Sequence, residues 1–181
     1  KTFMRAESGR CLTCAPSNGG ADNILRCASK SFDPPTGLVR YGNKERVAAD
    51  VMKLSSHFNA DRDCLAGNYS SRNAREAAIR SREAEAVREN GHAFFGTFMS
   101  SGATYMSESL ALVLEDEVGQ SNEPESLMPF IKGVFGTRTV LVGDPDQLPP
   151  PCECEKAATE GLGRSSLERM MNVPGLDVEL L

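Results

Sequence analysis

Apolar positions along this chain gather into short runs that break off on polar or acidic turns, a pattern of strands alternating with helices. The run Cys11-Leu12-Thr13-Cys14-Ala15 gives way to Pro16-Ser17-Asn18-Gly19-Gly20, and an amphipathic stretch over 21–28 follows. Strand, polar turn and helix in that order predict a βα unit. Leu38 to Tyr41 reads as a short strand, Val47, Val51 and Leu54 give helical periodicity to 45–54, and 93–98 reads as another strand. Two later runs end on carboxylates: Leu110 to Leu114 stops at Glu115-Asp116-Glu117, and Thr139 to Val142 stops at Gly143-Asp144. Helices are predicted at 124–131 and 165–171, and a last strand near 178–181.

Residues 70–90 break the pattern. Arg72, Arg75, Glu76, Arg80, Arg82, Glu83, Glu85, Arg88 and Glu89 stud an alanine-rich stretch with few large apolar residues. It reads as a solvated helix set between sheet elements, within a helical insertion over 55–92. The fold class is therefore α/β, a mainly parallel sheet flanked by helices. Such a sheet presents side chains at the carboxyl ends of its strands, where open sheets bind ligands.

Composition bounds this picture. A chain of 181 residues with 40% hydrophobic content suits about one domain. With a formal charge of -5 it has no global basic field, so any nucleic-acid contact is local. No run approaches the ~18 apolar residues of a membrane span, and no membrane role is expected. Cys11-x-x-Cys14 has no second pair at zinc spacing, and in a strand these two side chains point to opposite faces. Ordinary reduced cysteines are expected, which places the chain in the cytoplasm or nucleus.

The acidic turns carry the most specific chemistry. Phosphoryl transfer needs a magnesium ligand and a group that orients or deprotonates the attacking water, and adjacent Asp116 and Glu117 at a strand end supply both. An acidic pair at a strand end is also ordinary surface chemistry. What raises the functional reading is Gly143-Asp144-Pro145-x-Gln147-Leu148-Pro149-Pro150, a tight turn followed by an amide that both donates and accepts.

Taken in order, Pro16-Ser17-Asn18 with Asp22-Asn23, Asp116-Glu117-x-x-Gln120 with Glu123-Pro124-Glu125, Val142-Gly143-Asp144-Pro145-x-Gln147-Leu148-Pro149-Pro150, and Ser166-Leu167-x-Arg169 resemble motifs of the superfamily 1 helicases, nearest the nonsense-decay and senataxin-like group. The resemblance spans nearly the whole chain. It implies a RecA-like P-loop NTPase fold, incomplete at both ends: residues 1–181 would be part of the first of two RecA-like domains of an ATP-driven helicase moving on single-stranded RNA or DNA.

By that resemblance Asp116 and Glu117 match the magnesium-binding and water-activating positions. Gln120, Gly143, Asp144 and Gln147 belong to the nucleotide site, with Gln147 the γ-phosphate contact. Pro16, Ser17 and Asn18 match the first nucleic-acid motif, and Thr97, in Gly96-Thr97 with Ser100, Ser101 and Gly102, a further one. The plain alternative for Ser17 and Asn18 is helix capping, and for Thr97 ordinary turn chemistry.

The chain also departs from the family pattern. Glu115 stands where the buried strand normally has an apolar residue, so an unpartnered carboxylate there is expected to have its pKa raised. Gly19-Gly20 is expected to lengthen a loop. A full Gly-x-x-x-x-Gly-Lys-Ser/Thr phosphate loop is absent. Reading Lys1-Thr2 as its end leaves a helix of roughly 12 Å before Cys11, against a strand of ~17 Å that it must run back along. The expectation is that the phosphate loop, and the second domain with its arginine, lie outside this chain, leaving it catalytically poor by itself. The alternative is a RecA-like module without catalysis that binds nucleic acid or a protein; a transporter-type ATPase is disfavoured because it has no role for Gln147-Leu148-Pro149-Pro150.

Overall fold

The computed structural model describes residues 9–32, 37–65, 67–102, 110–132 and 137–179, apart from the side chains of 86–90 and 132. Strands β1 (Arg10–Ala15), β2 (Leu38–Arg40), β3 (Ala93–Thr97), β4 (Leu110–Glu115) and β5 (Arg138–Leu141) form one sheet in the order β2-β3-β1-β4-β5. Every pairing in it is parallel. Parallel strands need crossovers that cover the sheet, so their sequences are apolar on both faces rather than alternating. β1 shows this: Cys11 through Ala15 are all buried. At the open edge β5 is different, with Arg138, Thr139 and Val140 exposed.

Two cores follow from the alternation of side chains along the strands. Cys11, Leu38, Ala93 and Phe95 face one way and pack with Leu25, Val47 and Val51. Leu12, Cys14, Phe94, Leu110 and Val113 face the other way, with Tyr41, Phe98, Val118 and Leu167. Cys11 and Cys14 thus lie on opposite faces, as the strand period requires. All six cysteines are free thiols.

The helix α1 (Asn18–Ser31) covers the first face through Ala21, Asp22 and Leu25. Between β2 and β3 the chain forms α2 (Ser56–Asp63) and α3 (Arg72–Asn90), which pack on each other around Ala60, Cys64 and Ile79. Pairs such as Arg72–Glu76 and Arg82–Glu85 line the solvent side of α3, while Glu83 turns inward to accept from Ser56 Oγ at 2.5 Å. Short helices α4 (Phe98–Ser101), α5 (Glu123–Ser126), α6 (Glu155–Ala157) and α7 (Ser166–Met170) follow, with a turn Ala158–Leu162 after α6 that kinks at Gly161, where φ is 111°. No helix among the described residues is long and apolar enough to cross a membrane.

Several expectations are corrected. Residues 45–54 form no α-helix but two 3-10 turns, Lys44–Arg46 and Met52–Leu54, because Val47 and Val51 anchor the segment to the first core without a continuous hydrogen-bond ladder. The predicted helix 124–131 is split into α5 and a 3-10 turn Pro129–Lys132. Gly19 and Gly20 lengthen no loop; they form the first turn of α1. The strand at 93–98 ends one residue early, since Thr97 caps α4. Residues 176–179 carry no regular structure, and the rest of the predicted last strand lies outside the described residues, as do Lys1 to Glu7.

Candidate functional site at the carboxyl edge of the sheet

Because all five strands run in one direction, their carboxyl ends share one edge. Register aligns them: Ala15 pairs with Thr97, Cys14 with Glu115, and Glu115 with Leu141. The turns that leave these strands, Pro16–Asn18, Thr97–Ser100, Asp116–Glu117 and Val142–Asp144, therefore begin side by side. The β4 and β5 turns make an acidic half, and the β1 and β3 turns a half of hydroxyl and amide groups.

In the acidic half the backbone sets the geometry. Asp116 N–H donates to Cys14 O at 2.8 Å, Val118 N–H to Val142 O at 3.0 Å, and Val142 N–H to Glu115 O at 2.7 Å. The two turns touch closely enough that a side chain on Gly119 would stand 2.9 Å from Asp144 O, and one on Gly143 3.0 Å from Gly119 N. Glu117 sits in the left-handed region at φ 56°, ψ 34°, uncommon for a residue with a side chain. Its Oε2 lies 3.4 Å from where a Gly20 Cβ would be, beside the first turn of α1. Asp116 Oδ1 accepts from Glu117 N–H at 3.0 Å. Among the described residues nothing donates to Asp116 Oδ2 or to the Glu117 carboxylate.

Gln120 Nε2 donates to Gln147 Oε1 at 3.1 Å, and Gln147 Nε2 donates to Asp144 Oδ2 at 3.3 Å. Asp144 Oδ1 accepts from Asp146 N–H at 3.0 Å. The structure thus joins Asp144 and Gln147 to Gln120 in one hydrogen-bonded row. All three are solvent-accessible.

Glu115 answers its expectation directly. It is fully buried, and neither side-chain oxygen has a partner. Desolvation pushes its carboxyl up to about 8, so it is neutral at moderately acidic pH. In register beside it, Cys14 is also buried, and burial pushes that thiol up to about 12.

In the other half, Ser17 Oγ accepts from Gly20 N–H at 2.9 Å and caps α1. Thr97 and Ser100 form a reciprocal capping box on α4, Ser100 N–H donating to Thr97 Oγ1 at 3.2 Å and Thr97 N–H to Ser100 Oγ at 2.9 Å. Capping is therefore a real role of both Ser17 and Thr97. Asn18 is held from behind. The Arg40 guanidinium donates from Nη2 to Asn18 Oδ1 at 3.1 Å and from Nε to Asp22 Oδ1 at 2.6 Å.

Sequence reasoning passed over Arg40 as a site residue, although an arginine between Val39 and Tyr41 in an apolar strand was a signal. It also missed that the Glu123 and Arg169 motifs meet. Arg169 Nε donates to Glu123 Oε1 at 2.5 Å, and Ser126 and Ser166 hydroxyls bond at 2.6 Å. α7 is thereby pinned to the helix that follows Asp116-Glu117, and Leu167 reaches the Gly119–Gly143 contact.

The donor set suits a hard cation. Asp116 is engaged through Oδ1 alone, and magnesium is a cation bound through one or two such carboxylates, with water and substrate phosphates in its other positions.

The fold and this edge define a RecA-like P-loop NTPase domain. A family model described as AAA domain matches residues 68–153. The chain is 30% identical to "ATP-dependent helicase NAM7" of Saccharomyces cerevisiae over 98% of its own length and 19% of that protein. It is 31% identical to a "Regulator of nonsense transcripts 1 homolog" of Arabidopsis thaliana over 91% of its length and 14% of the relative. Against "RNA helicase Mov10l1" of Mus musculus it is 32% identical over 91% of its length and 13% of the relative. The chain belongs to the superfamily 1 helicase family and spans about a fifth or less of each of these relatives.

Proposed function

We propose that residues 1–181 are part of the first RecA-like domain of an ATP-dependent helicase, with 55–92 as its helical insertion, and that the whole protein couples Mg-ATP hydrolysis to movement on single-stranded RNA or DNA. The observation that carries this reading is the row Asp116, Glu117, Gln120, Gln147 and Asp144 on one sheet edge, with Ser17 and Asn18 on the adjoining turn.

In this reading Asp116, through its unengaged Oδ2, holds magnesium directly or through water. Bound there with the nucleotide, the ion neutralises charge on the phosphates. Glu117 orients the attacking water and accepts its proton at a carboxylate oxygen. Gln147, already bonded to Asp144 and Gln120, contacts the γ-phosphate and links its presence to the nucleic-acid side. The link has a physical route, since Glu117 packs against the first turn of α1, which begins at Asn18. Backbone N–H groups at that helix start and the Asn18 amide contact strand phosphates, and Thr97 adds a second contact; such contacts position a strand without reading its sequence. The carboxylates alone lack a source of positive charge for the transition state, which a phosphate loop and an arginine elsewhere in the protein would provide.

A second reading is favoured by Glu115. A buried carboxylate with no partner stands beside the acidic turn where the family pattern has an apolar residue, a costly departure that a module freed from catalysis would tolerate, and the chain would then be a binding module. Hydrolysis by the parent reading frame, native and Glu117→Gln, separates the two. The helicase reading expects a loss on the order of 10²-fold or more with nucleotide binding retained. An equal rate in both proteins would remove Glu117 from the chemistry, and no hydrolysis by the native protein would leave the binding module.

A further inference from the structure

Arg40 carries a charge at a place where none is needed for a strand core. Its side chain is fully buried, and that of its partner Asp22 is 4% exposed. Each of its three nitrogens donates: Nε to Asp22 Oδ1, Nη1 to Tyr41 O, and Nη2 to Asn18 Oδ1 at 3.1 Å. The second Asp22 oxygen accepts from Ala48 N–H at 2.9 Å. Stability alone does not call for such a pair, since apolar replacements of similar volume are commonly as stable. What an apolar pair cannot do is orient an amide.

A guanidinium has donors and no acceptor, so the atom of Asn18 that faces it must be the oxygen. The Nδ2 end is then the one turned away from the buried Arg40, on a side chain that is half-buried, and no described residue accepts from it. An unrestrained asparagine amide can present either end by rotating half a turn, and would meet a strand as donor or acceptor. Arg40 removes that choice.

We infer that Arg40 is a positioning residue for single-strand binding: it locks the Asn18 amide with its two N–H donors outward, so that this point of the sheet edge accepts phosphate or sugar oxygen and rejects donors. The inference rests on the reading of Pro16–Asn18 as a strand contact and names the group that gives that contact its polarity. Asp22 acts behind Arg40, holding the guanidinium in place from the buried face of α1.

The test is fluorescence anisotropy of labelled oligouridylate and oligothymidylate with the full chain, alongside thermal melting of each variant. Asn18→Ala is expected to weaken binding about 3- to 10-fold, the value of one ordinary hydrogen bond. Arg40→Lys keeps a cation for Asp22 but cannot reach Asn18, and is expected to weaken binding by a similar factor. The double variant should bind no worse than Asn18→Ala, because both changes remove one contact. Asn18→Asp keeps the bond to Arg40 and replaces the outward donors by an oxygen, so it should weaken binding more than Asn18→Ala does. If Arg40→Lys does not fold, that comparison carries the test alone, and Asn18→Asp binding as well as Asn18→Ala would overturn the proposal. Losses from Arg40→Lys and Asn18→Ala that multiply in the double variant would also overturn it, by making Arg40 structural only. A native chain that binds neither strand, or an Asn18→Ala that binds normally, would instead remove the strand reading and the inference with it.

Discussion

Gln120 and Gln147 are hydrogen-bonded to each other at 3.1 Å across two turns that are 27 residues apart in the chain. Neither turn can shift without disturbing the other, because Gly119 and Gly143 already hold their backbones in contact. The pair gives the Gln147 amide, the proposed γ-phosphate contact, a fixed starting position. Gln147→Leu in the parent protein is expected to lower strand-stimulated ATP hydrolysis on the order of 10²-fold, while Gln120→Leu, one bond further from the phosphate, costs less. Steady-state hydrolysis with and without a single strand checks both.

The close approach of those turns makes its own prediction. A methyl group on Gly119 would stand 2.9 Å from Asp144 O, a backbone atom that cannot rotate away. Gly119→Ala should therefore push the Asp144 turn outward and destabilise the chain by about 1–3 kcal/mol, the usual cost of overpacking. Urea denaturation measures the loss, and an unchanged midpoint would show that the turns separate freely.

Glu115 predicts a pH dependence of stability with a definite sign. Its folded-state carboxyl titrates at about 8, against 4.5 for an ordinary glutamate. Between those values the folded chain keeps a proton that the unfolded chain has released, so this residue lowers stability as pH rises through the window, fully so above about 8. The facing Cys14 thiol, up at about 12, stays neutral throughout. Replacing the carboxyl by an apolar group should stabilise the protein most at high pH: Glu115→Leu is expected to gain roughly 3–5 kcal/mol more at pH 8 than at pH 5. Melting curves at both pH values decide it, and equal gains would mean the carboxyl is solvated.

Thr97 separates capping from strand contact. Its hydroxyl accepts from Ser100 N–H, so Thr97→Val should cost about 1 kcal/mol while Thr97→Ser, which keeps the cap, costs little. If the hydroxyl serves only the cap, strand affinity at equal folding will be the same in all three proteins.

Asp116→Asn tests the cation. The change keeps one oxygen to accept from Glu117 N–H and removes the charge, so nucleotide binding by the parent protein should become nearly insensitive to magnesium, a shift of about 10-fold or more in affinity measured with a fluorescent ATP analogue in magnesium and in chelator. The same magnesium response in both proteins would place the ion elsewhere.

Much of the fold was legible from local chemistry. Strands such as Cys11–Ala15 and Leu110–Glu115 are short, apolar and punctuated, so their period and their ends can be read directly. Residues 45–54 misled because the same spacing that marks a helix face also serves two 3-10 turns whose valines reach one core. Gly19-Gly20 misled because glycine usually signals a loop, whereas here Gly20 lets the first turn of α1 pack closely on β1, where a Cβ would stand 3.0 Å from Ala15 Cβ.

By itself the sequence determined which residue types stand at each strand end, and hence the acidic pair, the Gly-Asp turn and the Ser-Asn turn. These follow from hydrophobic period and turn chemistry, which act over a few residues. Only the tertiary structure decided their neighbours: the order β2-β3-β1-β4-β5 sets Glu115 beside Cys14, and packing brings Glu117 to Gly20, Gln120 to Gln147 and Arg40 to Asn18. Those contacts depend on strand order and on register, and in a parallel sheet both are fixed by crossovers and cores that join residues far apart in the chain.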